Sequence, residues 1–283
     1  MAEKILKING VDICAETFGS PSDPCLLLIM GASASMIWWD DEFCRRLASE
    51  GLFVIRYDNR DTGRSTCYDP GALPYTVMDM AADAVGVLDA HGVVSAHFAG
   101  MSLGGMIAQI VAITRPERVK TITLIASSVW DDLPHLPPIA PEILAYHSSA
   151  SGLDWSDRAA VVKYMVGGWK ILNGTRHPFD EPRAMALAET EASRARNLLS
   201  MINHALLKGG EDLYGRSKQI NTPVLIIHGT KDPVLPYAHA EELCKTIPGA
   251  KLLTLEGAGH EIHRADRDEV IDAIKRHIKD SRV

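Results

Sequence analysis

The sequence predicts an α/β protein whose mostly parallel, eight-stranded sheet is flanked by helices and carries an inserted helical lid. Short apolar β-type runs alternate with longer helical patterns, as expected for parallel strands joined by crossover helices. Within one of these units, the pattern Gly100-Met101-Ser102-Leu103-Gly104 separates an apolar strand from a nearly all-apolar helix. The alternation stops over residues 130–218, where helical and Pro-interrupted segments indicate an insertion, and then resumes.

The first half of the chain supplies most of the predicted strands. Residues 4–8 and 11–18 flank Asn9-Gly10, a pair that favours a tight hairpin, so the sheet is expected to begin with antiparallel strands. The other strands of this half are predicted over residues 25–30, 52–57, 96–99 and 119–126. Helices are predicted over residues 41–50, 76–90 and 103–113, and the last is expected to be buried because it is apolar on every side.

The end of the chain completes the predicted core with strands over 224–228 and 250–255 and a helix over 238–246. In the final helix, Val270, Ile274 and Ile278 repeat every four residues and mark the face that docks on the sheet. We therefore predict that residues 1–129 and 219–283 form the core, and that residues 130–218 form the lid.

Composition and charge exclude several classes of protein. The chain has 283 residues, a net charge of −7 and no basic run of five, which disfavours nucleic acids and anionic membranes as partners. No stretch of about 18 apolar residues occurs and the start does not resemble a signal peptide, so we expect a cytoplasmic monomer or homodimer. The five cysteines lie far apart, and no histidine pair has metal-ligand spacing with a carboxylate; neither disulfides nor a metal site is expected.

Ser102 is the candidate nucleophile. A sharp strand-to-helix turn exposes the serine hydroxyl and forces its backbone into a strained conformation. Glycine is needed at positions 100 and 104 because side chains there would collide across so tight a turn. The alternative interpretation of this segment is a Gly/Ser turn without chemistry.

His260 is the best-placed base for this serine, which needs a proton acceptor within hydrogen-bond reach. It lies in a glycine-rich loop after the last strand, where a side chain can reach across the carboxyl edge of the sheet. His97 and His228 lie on strands and are expected to be core residues, whereas His263 is a nearby alternative. The remaining histidines are expected at surface, lid or helix positions: His91, His135, His147, His177, His204, His239 and His277.

The base in turn requires a group that orients it. Asp232 is preferred, because it lies just past the strand that precedes the histidine strand. Asp131 and Asp132, which follow the strand ending near residue 126, are the alternative acids.

An acyl-transfer site also needs two N–H donors for the oxyanion, each worth about 10²- to 10³-fold in rate. One donor is expected from the backbone of Leu103, at the start of the buried helix, where the helix dipole also helps. The other is expected from Ala32 in the loop that follows the third strand.

With Ser102, Asp232 and His260 in this chain order, the sequence resembles the α/β-hydrolase superfamily across nearly its whole length. Within that superfamily it is similar to aclacinomycin methylesterases and related esterases of polyketide metabolism. The matching segments are Ile55-Arg-Tyr-Asp58, Arg60-Asp-Thr-Gly-Arg-Ser65, Trp169-Lys-Ile-Leu172, Gly174-Thr175 and Pro178-Phe-Asp180. The resemblance implies hydrolysis of a carboxylic methyl ester without a cofactor. Ala32 replaces the glycine expected in the oxyanion loop and narrows the pocket by a methyl group.

The sequence therefore predicts a serine hydrolase for a small or medium-sized apolar carboxylic ester. Gly100 to Met106 also resembles 3-oxoadipate enol-lactonases, so an enol-lactone substrate is an alternative. Cofactor-free perhydrolysis and C–C bond hydrolysis use the same triad, and a non-catalytic receptor on this fold is a further alternative. Trp130, Tyr164 and Trp169 are expected either to line an apolar substrate pocket or to pack inside the lid.

Overall fold

The structure is a computed structural model that describes residues 2–281, and it is organised around one eight-stranded sheet. The strands lie side by side in the order β1-β2-β4-β3-β5-β6-β7-β8. Strand β2 runs antiparallel to both neighbours, and all other pairs are parallel, which confirms the predicted sheet. The strands are β1 (Lys4–Ile8), β2 (Val11–Phe18), β3 (Cys25–Ile29), β4 (Phe53–Tyr57), β5 (Ala96–Met101), β6 (Val119–Ile125), β7 (Val224–Gly229) and β8 (Lys251–Leu255).

The hairpin between β1 and β2 has the predicted geometry. Ile8 pairs with Val11, so Asn9 and Gly10 form a two-residue loop. The φ angles of Asn9 and Gly10 are 50° and 80°, and two positive values in succession are typical of the turn that matches strand twist. This hairpin places the antiparallel strands at one edge of the sheet.

Helices cover both faces of the sheet, and the sheet separates two hydrophobic cores. Side chains alternate along β3, so Leu27 and Ile29 pack in one core and Leu26 and Leu28 in the other. The first core includes residues of α2 (Val77–Ala90), α3 (Leu103–Thr114) and α7 (Ala238–Thr246). The second includes residues of α1 (Asp41–Ser49) and α8 (Arg267–Asp280).

Helix α8 docks through its predicted face. Val270, Ile274 and Ile278 are all buried in the second core, whereas charged residues occupy the opposite side. The four-residue spacing therefore identified the docking face correctly.

The lid segment, defined as residues 130–218, lies between β6 and β7 in the chain. It contains α4 (Pro141–Ser148), α5 (Arg158–Leu172) and α6 (Glu181–Arg194), together with several turns of 3-10 helix. No strand of the sheet falls within this segment. Its helices α5 and α6 add side chains to the second core and so pack on the same face as α1 and α8, whereas Leu213 belongs to the first core.

Within residues 2–281, no helix is long and apolar enough to cross a bilayer. No group of three or more histidine, cysteine, aspartate or glutamate side chains in that range is arranged to hold a metal ion.

Replacing Gly104 with alanine is expected to lower the free energy of unfolding by about 2 kcal/mol or more. The reason is steric: a Cβ atom at this position would lie 2.1 Å from the carbonyl oxygen of Ile29, a rigid backbone atom of β3. Chemical denaturation of the wild type and of Gly104→Ala measures the effect.

Gly168 provides the matched control, because it is also a helical glycine, in α5. A Cβ atom there would meet only the ring of Tyr146, at 3.5 Å, which is an ordinary contact. Gly168→Ala is therefore expected to be neutral or to stabilise the protein by about 0.5–1 kcal/mol. Equal destabilisation by the two variants would contradict the steric argument.

Candidate active site

Ser102 forms the sharp turn between β5 and α3. Its φ and ψ angles are 50° and −119°, a backbone conformation that L-residues rarely adopt. The amide N–H of Ser102 donates to the carbonyl oxygen of Ile125 at 2.9 Å. Its own carbonyl oxygen accepts a hydrogen bond from Ser127 Oγ at 2.8 Å. Contacts with the end of β6 thus hold the serine in the strained conformation that the sequence pattern predicts.

The glycines of the turn are required by contact distances across it. A Cβ atom on Gly100 would lie 2.2 Å from the carbonyl oxygen of Gly104, and one on Gly105 would lie 2.5 Å from Ser127 Oγ. Real Cβ atoms do not approach other heavy atoms so closely. The close packing of β5, α3 and β6 therefore depends on the absence of side chains at these positions.

His260 and Asp232 form a buried pair. The Nδ1–H of His260 donates to Asp232 Oδ2 at 2.7 Å. The other carboxylate oxygen, Oδ1, accepts from the backbone N–H groups of Val234 and Leu235 at 2.8 and 2.9 Å. The carboxylate is therefore held from both sides and orients the imidazole, leaving Nε2 as the ring nitrogen that is free for proton transfer.

Asp232 keeps its negative charge despite its burial. Burial alone would raise the pKa of this carboxyl, but the attraction of His260 and the hydrogen bonds from His228 and His260 outweigh it. The pKa consequently lies well below the usual range for aspartate. An ionised aspartate at this position can stabilise the imidazolium that forms when His260 accepts a proton.

The alternative acids lie elsewhere. Asp131 accepts hydrogen bonds from the backbone N–H groups of Asp132 and Gly215, both at 2.9 Å. The structure brings Asp232 rather than Asp131 to His260.

His228 makes a contact that sequence reasoning missed. It is buried at the end of β7, as expected for a core residue, but its Nε2 lies 3.3 Å from Asp232 Oδ2. The same nitrogen donates to the carbonyl oxygen of Leu235 at 2.7 Å. Its spacing of four residues from Asp232 is the signal in the sequence that could have linked the two.

The other candidate histidines do not approach the acid. His97 is a core residue on β5 whose Nδ1 lies 2.9 Å from Thr121 Oγ1. His263 stacks on His177, with ring centroids 4.7 Å apart, and its Nε2 donates to the carbonyl oxygen of Pro178.

The lid segment holds the loop that carries His260. The amide N–H of His260 donates to the carbonyl oxygen of Leu172, at the end of α5, at 2.8 Å. The carbonyl oxygen of Gly257 accepts from the N–H groups of Thr175 and Arg176 at 2.7 and 2.9 Å. A Cβ atom on Gly259 would lie 1.9 Å from the carbonyl oxygen of Leu172, so this close approach requires glycine.

The loop after β3 passes next to the serine. A Cβ atom on Gly31 would lie 3.2 Å from Ser102 Cβ, which places the neighbouring Ala32 close to the nucleophile. Leu103 follows Ser102 as the first residue of α3, where a backbone N–H has no acceptor within the helix. Both residues predicted to supply oxyanion donors therefore flank the serine.

A cavity opens beside these residues. Its apolar walls are Met30, Trp38, Trp39, Phe43, Met101, Trp169 and Ile262. Its polar lining consists of Asp40, Arg183, Glu261 and Arg267. Met101 directly precedes Ser102 and Glu261 directly follows His260 in the chain, whereas Ser102, His260 and Asp232 are not themselves part of the lining.

Most of the charged residues in the cavity lining pair with one another. Arg183 Nη2 lies 2.9 Å from Asp40 Oδ2, and Arg267 pairs with the same carboxylate. Burial raises the pKa of Glu261 to about 7, against the opposing effect of Arg183. The remaining surface is largely aromatic.

The three aromatic residues predicted for the pocket lie in different places. Trp169 is part of the cavity wall and stacks on Trp38, with ring centroids 4.1 Å apart. Tyr164 stacks on Tyr146 within the lid segment. Trp130 donates from Nε1 to the carbonyl oxygen of Gly210 and packs edge-on against Tyr214. Neither Trp130 nor Tyr164 belongs to the lining of this cavity.

The sheet, the turn at Ser102 and the His260–Asp232 pair together define an α/β-hydrolase. Residues 21–268 match the family model described as serine aminopeptidase, S33, and the chain belongs to this family. The chain is 35% identical to rhodomycin D methylesterase DauP of Streptomyces sp. (strain C5), and 33% identical to rhodomycin D methylesterase DnrP of Streptomyces peucetius. Each alignment covers 99% of both chains.

Among solved structures, an esterase from Exiguobacterium antarcticum has the same fold, with a TM-score of 0.81 at 23% identity. The superposition covers 98% of this chain and 100% of the esterase. The comparisons confirm the predicted fold and the predicted enzyme class, a serine hydrolase that acts on carboxylic esters.

Asp232→Asn is expected to lower kcat for ester hydrolysis by about 10³- to 10⁴-fold, because an amide can present its N–H groups to His260 and favour the wrong tautomer. Steady-state kinetics with a chromogenic ester measure the loss. Asp131→Asn is the matched control and is expected to stay within about threefold of the wild type. A larger loss in Asp131→Asn than in Asp232→Asn would contradict the assignment of the acid.

Proposed function

We propose that Ser102, His260 and Asp232 form the catalytic triad of this serine hydrolase and that its substrate is a carboxylic methyl ester. The proposal is carried by the buried His260–Asp232 hydrogen bond, together with the strained turn at Ser102. The methyl ester is supported by the two Streptomyces relatives, whose names describe methylesterases and whose alignments cover nearly the whole chain.

In the first half of the reaction, Ser102 Oγ attacks the ester carbonyl and its proton passes to Nε2 of His260. Nδ1 remains bonded to Asp232, which stabilises the resulting positive charge. The oxyanion of the tetrahedral intermediate accepts hydrogen bonds from the backbone N–H groups of Ala32 and Leu103. Collapse of this intermediate transfers the proton from His260 to the departing methanol and leaves an acyl-enzyme.

The second half reverses these roles. His260 removes a proton from a water molecule, which attacks the acyl carbon while the same two N–H groups stabilise the oxyanion. The bond to Ser102 then breaks, its oxygen regains a proton from His260, and the carboxylic acid leaves. Every proton transfer is accomplished by the triad and water.

The aromatic walls of the cavity are the proposed contact surface for the acyl part of the substrate; the cavity itself has a volume of about 20 Å³, so the proposal requires its side chains to move apart when substrate binds. Trp38 and Trp169 present large flat surfaces, and Phe43 and Met101 add apolar walls. Such a lining favours a planar apolar group, since burying an aromatic surface against another is worth more than area alone predicts. Trp130 and Tyr164, which lie outside the cavity lining, are proposed to contact the substrate from elsewhere in the lid segment.

Ser102→Ala is expected to reduce methanol release from a methyl ester by a factor on the order of 10⁴ or more, because the variant cannot form the acyl-enzyme. Its unfolding midpoint should remain within a few degrees of the wild-type value. A p-nitrophenyl phosphonate should add its phosphonyl group to the wild type, with release of p-nitrophenol, and should not label Ser102→Ala.

Ser128→Ala is the matched control, since Ser128 is a buried serine whose hydroxyl contacts His239 rather than the triad. Retained turnover in Ser102→Ala would contradict the mechanism. Turnover of carbon–carbon-linked diketones or peroxide-dependent halogenation without methyl ester hydrolysis would contradict the proposed substrate.

Trp169→Ala is expected to raise KM for a methyl ester with an aromatic acyl group by about tenfold, with a small change in kcat, because the aromatic wall is lost. Steady-state kinetics with aromatic and small aliphatic methyl esters separate the effects, and the aliphatic ester should be much less affected. Trp155→Ala is the control, because Trp155 contacts Tyr164 in the lid segment and does not line the cavity. Equal KM changes in both variants would contradict the proposed binding site.

A further inference from the structure

The oxyanion loop is bonded to the lid segment one residue after Ala32. Ser33 has a φ angle of 61°, which is unfavourable for a residue other than glycine. Its amide N–H donates to Nδ1 of His204 at 2.9 Å, and its Oγ donates to the carbonyl oxygen of Met201 at 2.8 Å. Both partners lie in the 3-10 helix Leu198–Leu206 of the lid segment. Ser33 is therefore held in an unfavourable conformation by contacts from the lid.

His204 can make these contacts in only one protonation state. Nδ1 accepts from a backbone N–H, whereas Nε2 lies 2.8 Å from the carbonyl oxygen of Arg60, which can only accept. The imidazole must therefore carry one proton, on Nε2. Burial lowers the pKa of His204, against the opposing effects of the Arg60 carbonyl and Asp61, and so favours this neutral form. His204, which was expected at a surface, lid or helix position, is a buried residue of the lid segment.

The two ends of the oxyanion loop are fixed by other residues. At its start, Asn59 Nδ2 donates to the carbonyl oxygen of Met30 at 3.1 Å. At its end, the N–H of Met36 donates to Asp58 Oδ1 at 2.9 Å. Both anchors belong to the loop after β4. The bonds of His204 and Met201 to Ser33 fix the middle of the loop, where the proposed donor lies.

An oxyanion donor stabilises the transition state most when its N–H already points at the ester oxygen before negative charge develops there. Ala32 is joined to Ser33 by one rigid peptide plane, so fixing the N–H and φ of Ser33 restricts the backbone of Ala32. We propose that His204 is a positioning residue that holds Ser33 and thereby aims the N–H of Ala32 at the ester oxygen. This inference rests on the proposed function, since it needs Ala32 as an oxyanion donor.

Two isosteric substitutions separate the functions of the two ring nitrogens. Asparagine can place an amide oxygen near the position of Nδ1, so His204→Asn keeps an acceptor for Ser33 and loses the bond to Arg60. Glutamine can place its amide nitrogen near Nε2, so His204→Gln keeps a donor for Arg60 and loses the acceptor. We expect kcat to fall about 10- to 100-fold in His204→Gln with KM within about twofold, and to stay within about threefold in His204→Asn.

His277→Gln is the matched control for removal of a buried histidine. His277 lies in α8, and its Nε2 donates to the carbonyl oxygen of Ile122 on β6 at 3.1 Å. This variant is expected to lower the unfolding midpoint without a specific loss of kcat. Equal kcat in His204→Gln and His204→Asn, whether both high or both low, would overturn the positioning role.

A variant of the loop itself decides the question if neither His204 variant folds. Ser33→Gly removes the hydroxyl bond to Met201 and lets the backbone leave its constrained φ angle, and glycine tolerates the native conformation as well. We expect kcat to fall about three- to tenfold with the unfolding midpoint maintained; an unchanged kcat would overturn the proposal. Absence of ester turnover and of phosphonate labelling in the wild type would overturn both proposals, whereas wild-type turnover with unaffected variants would overturn only this one.

Discussion

The close approach of β5, α3 and β3 around Ser102 is the constraint on which the rest of the site depends. It exists because Gly100 and Gly104 have no side chains, and it forces the serine between them into a positive φ angle. The strained turn presents Oγ at the carboxyl edge of the sheet, and the same geometry starts α3 with the free N–H of Leu103 directed at the same region. The proposed nucleophile and one proposed oxyanion donor thus follow from a single packing requirement.

The lid segment contributes to the geometry of the site through contacts with three loops. The end of α5 bonds to the backbone of His260, and the 3-10 helix near residue 204 bonds to the loop of Ala32. A third link is the ion pair between Arg194 of α6 and buried Asp58, whose carboxylate also holds the N–H of Met36. Each contact joins the lid to a loop that follows a strand of the sheet. The loops that carry the proposed site residues are therefore stabilised by contacts with the lid segment.

Much of this arrangement could be predicted from local pattern. Short apolar runs between helical patterns predicted all eight strands, with ends that differ from the structure by only a few residues. The pair Asn9-Gly10 predicted the hairpin. The pairing of Asp232 with His260 followed from chain order, since both come directly after neighbouring parallel strands, whose carboxyl ends meet at one edge. The cavity was less predictable: Trp169 was identified, but Trp38, Arg183 and Glu261 come from distant parts of the chain.

The sequence by itself determined the fold and the strained serine, because each depends on residue types at short, regular spacings, and it predicted the chain order of the proposed triad from the order of the strands. Only the tertiary structure decided that His228 contacts Asp232, that Trp130 and Tyr164 pack away from the cavity lining, and that His204 bonds to Ser33. His204 and Ser33 are separated by 171 positions in the chain. No periodicity encodes such a contact, because it is created when a lid helix and a strand-end loop pack together during folding.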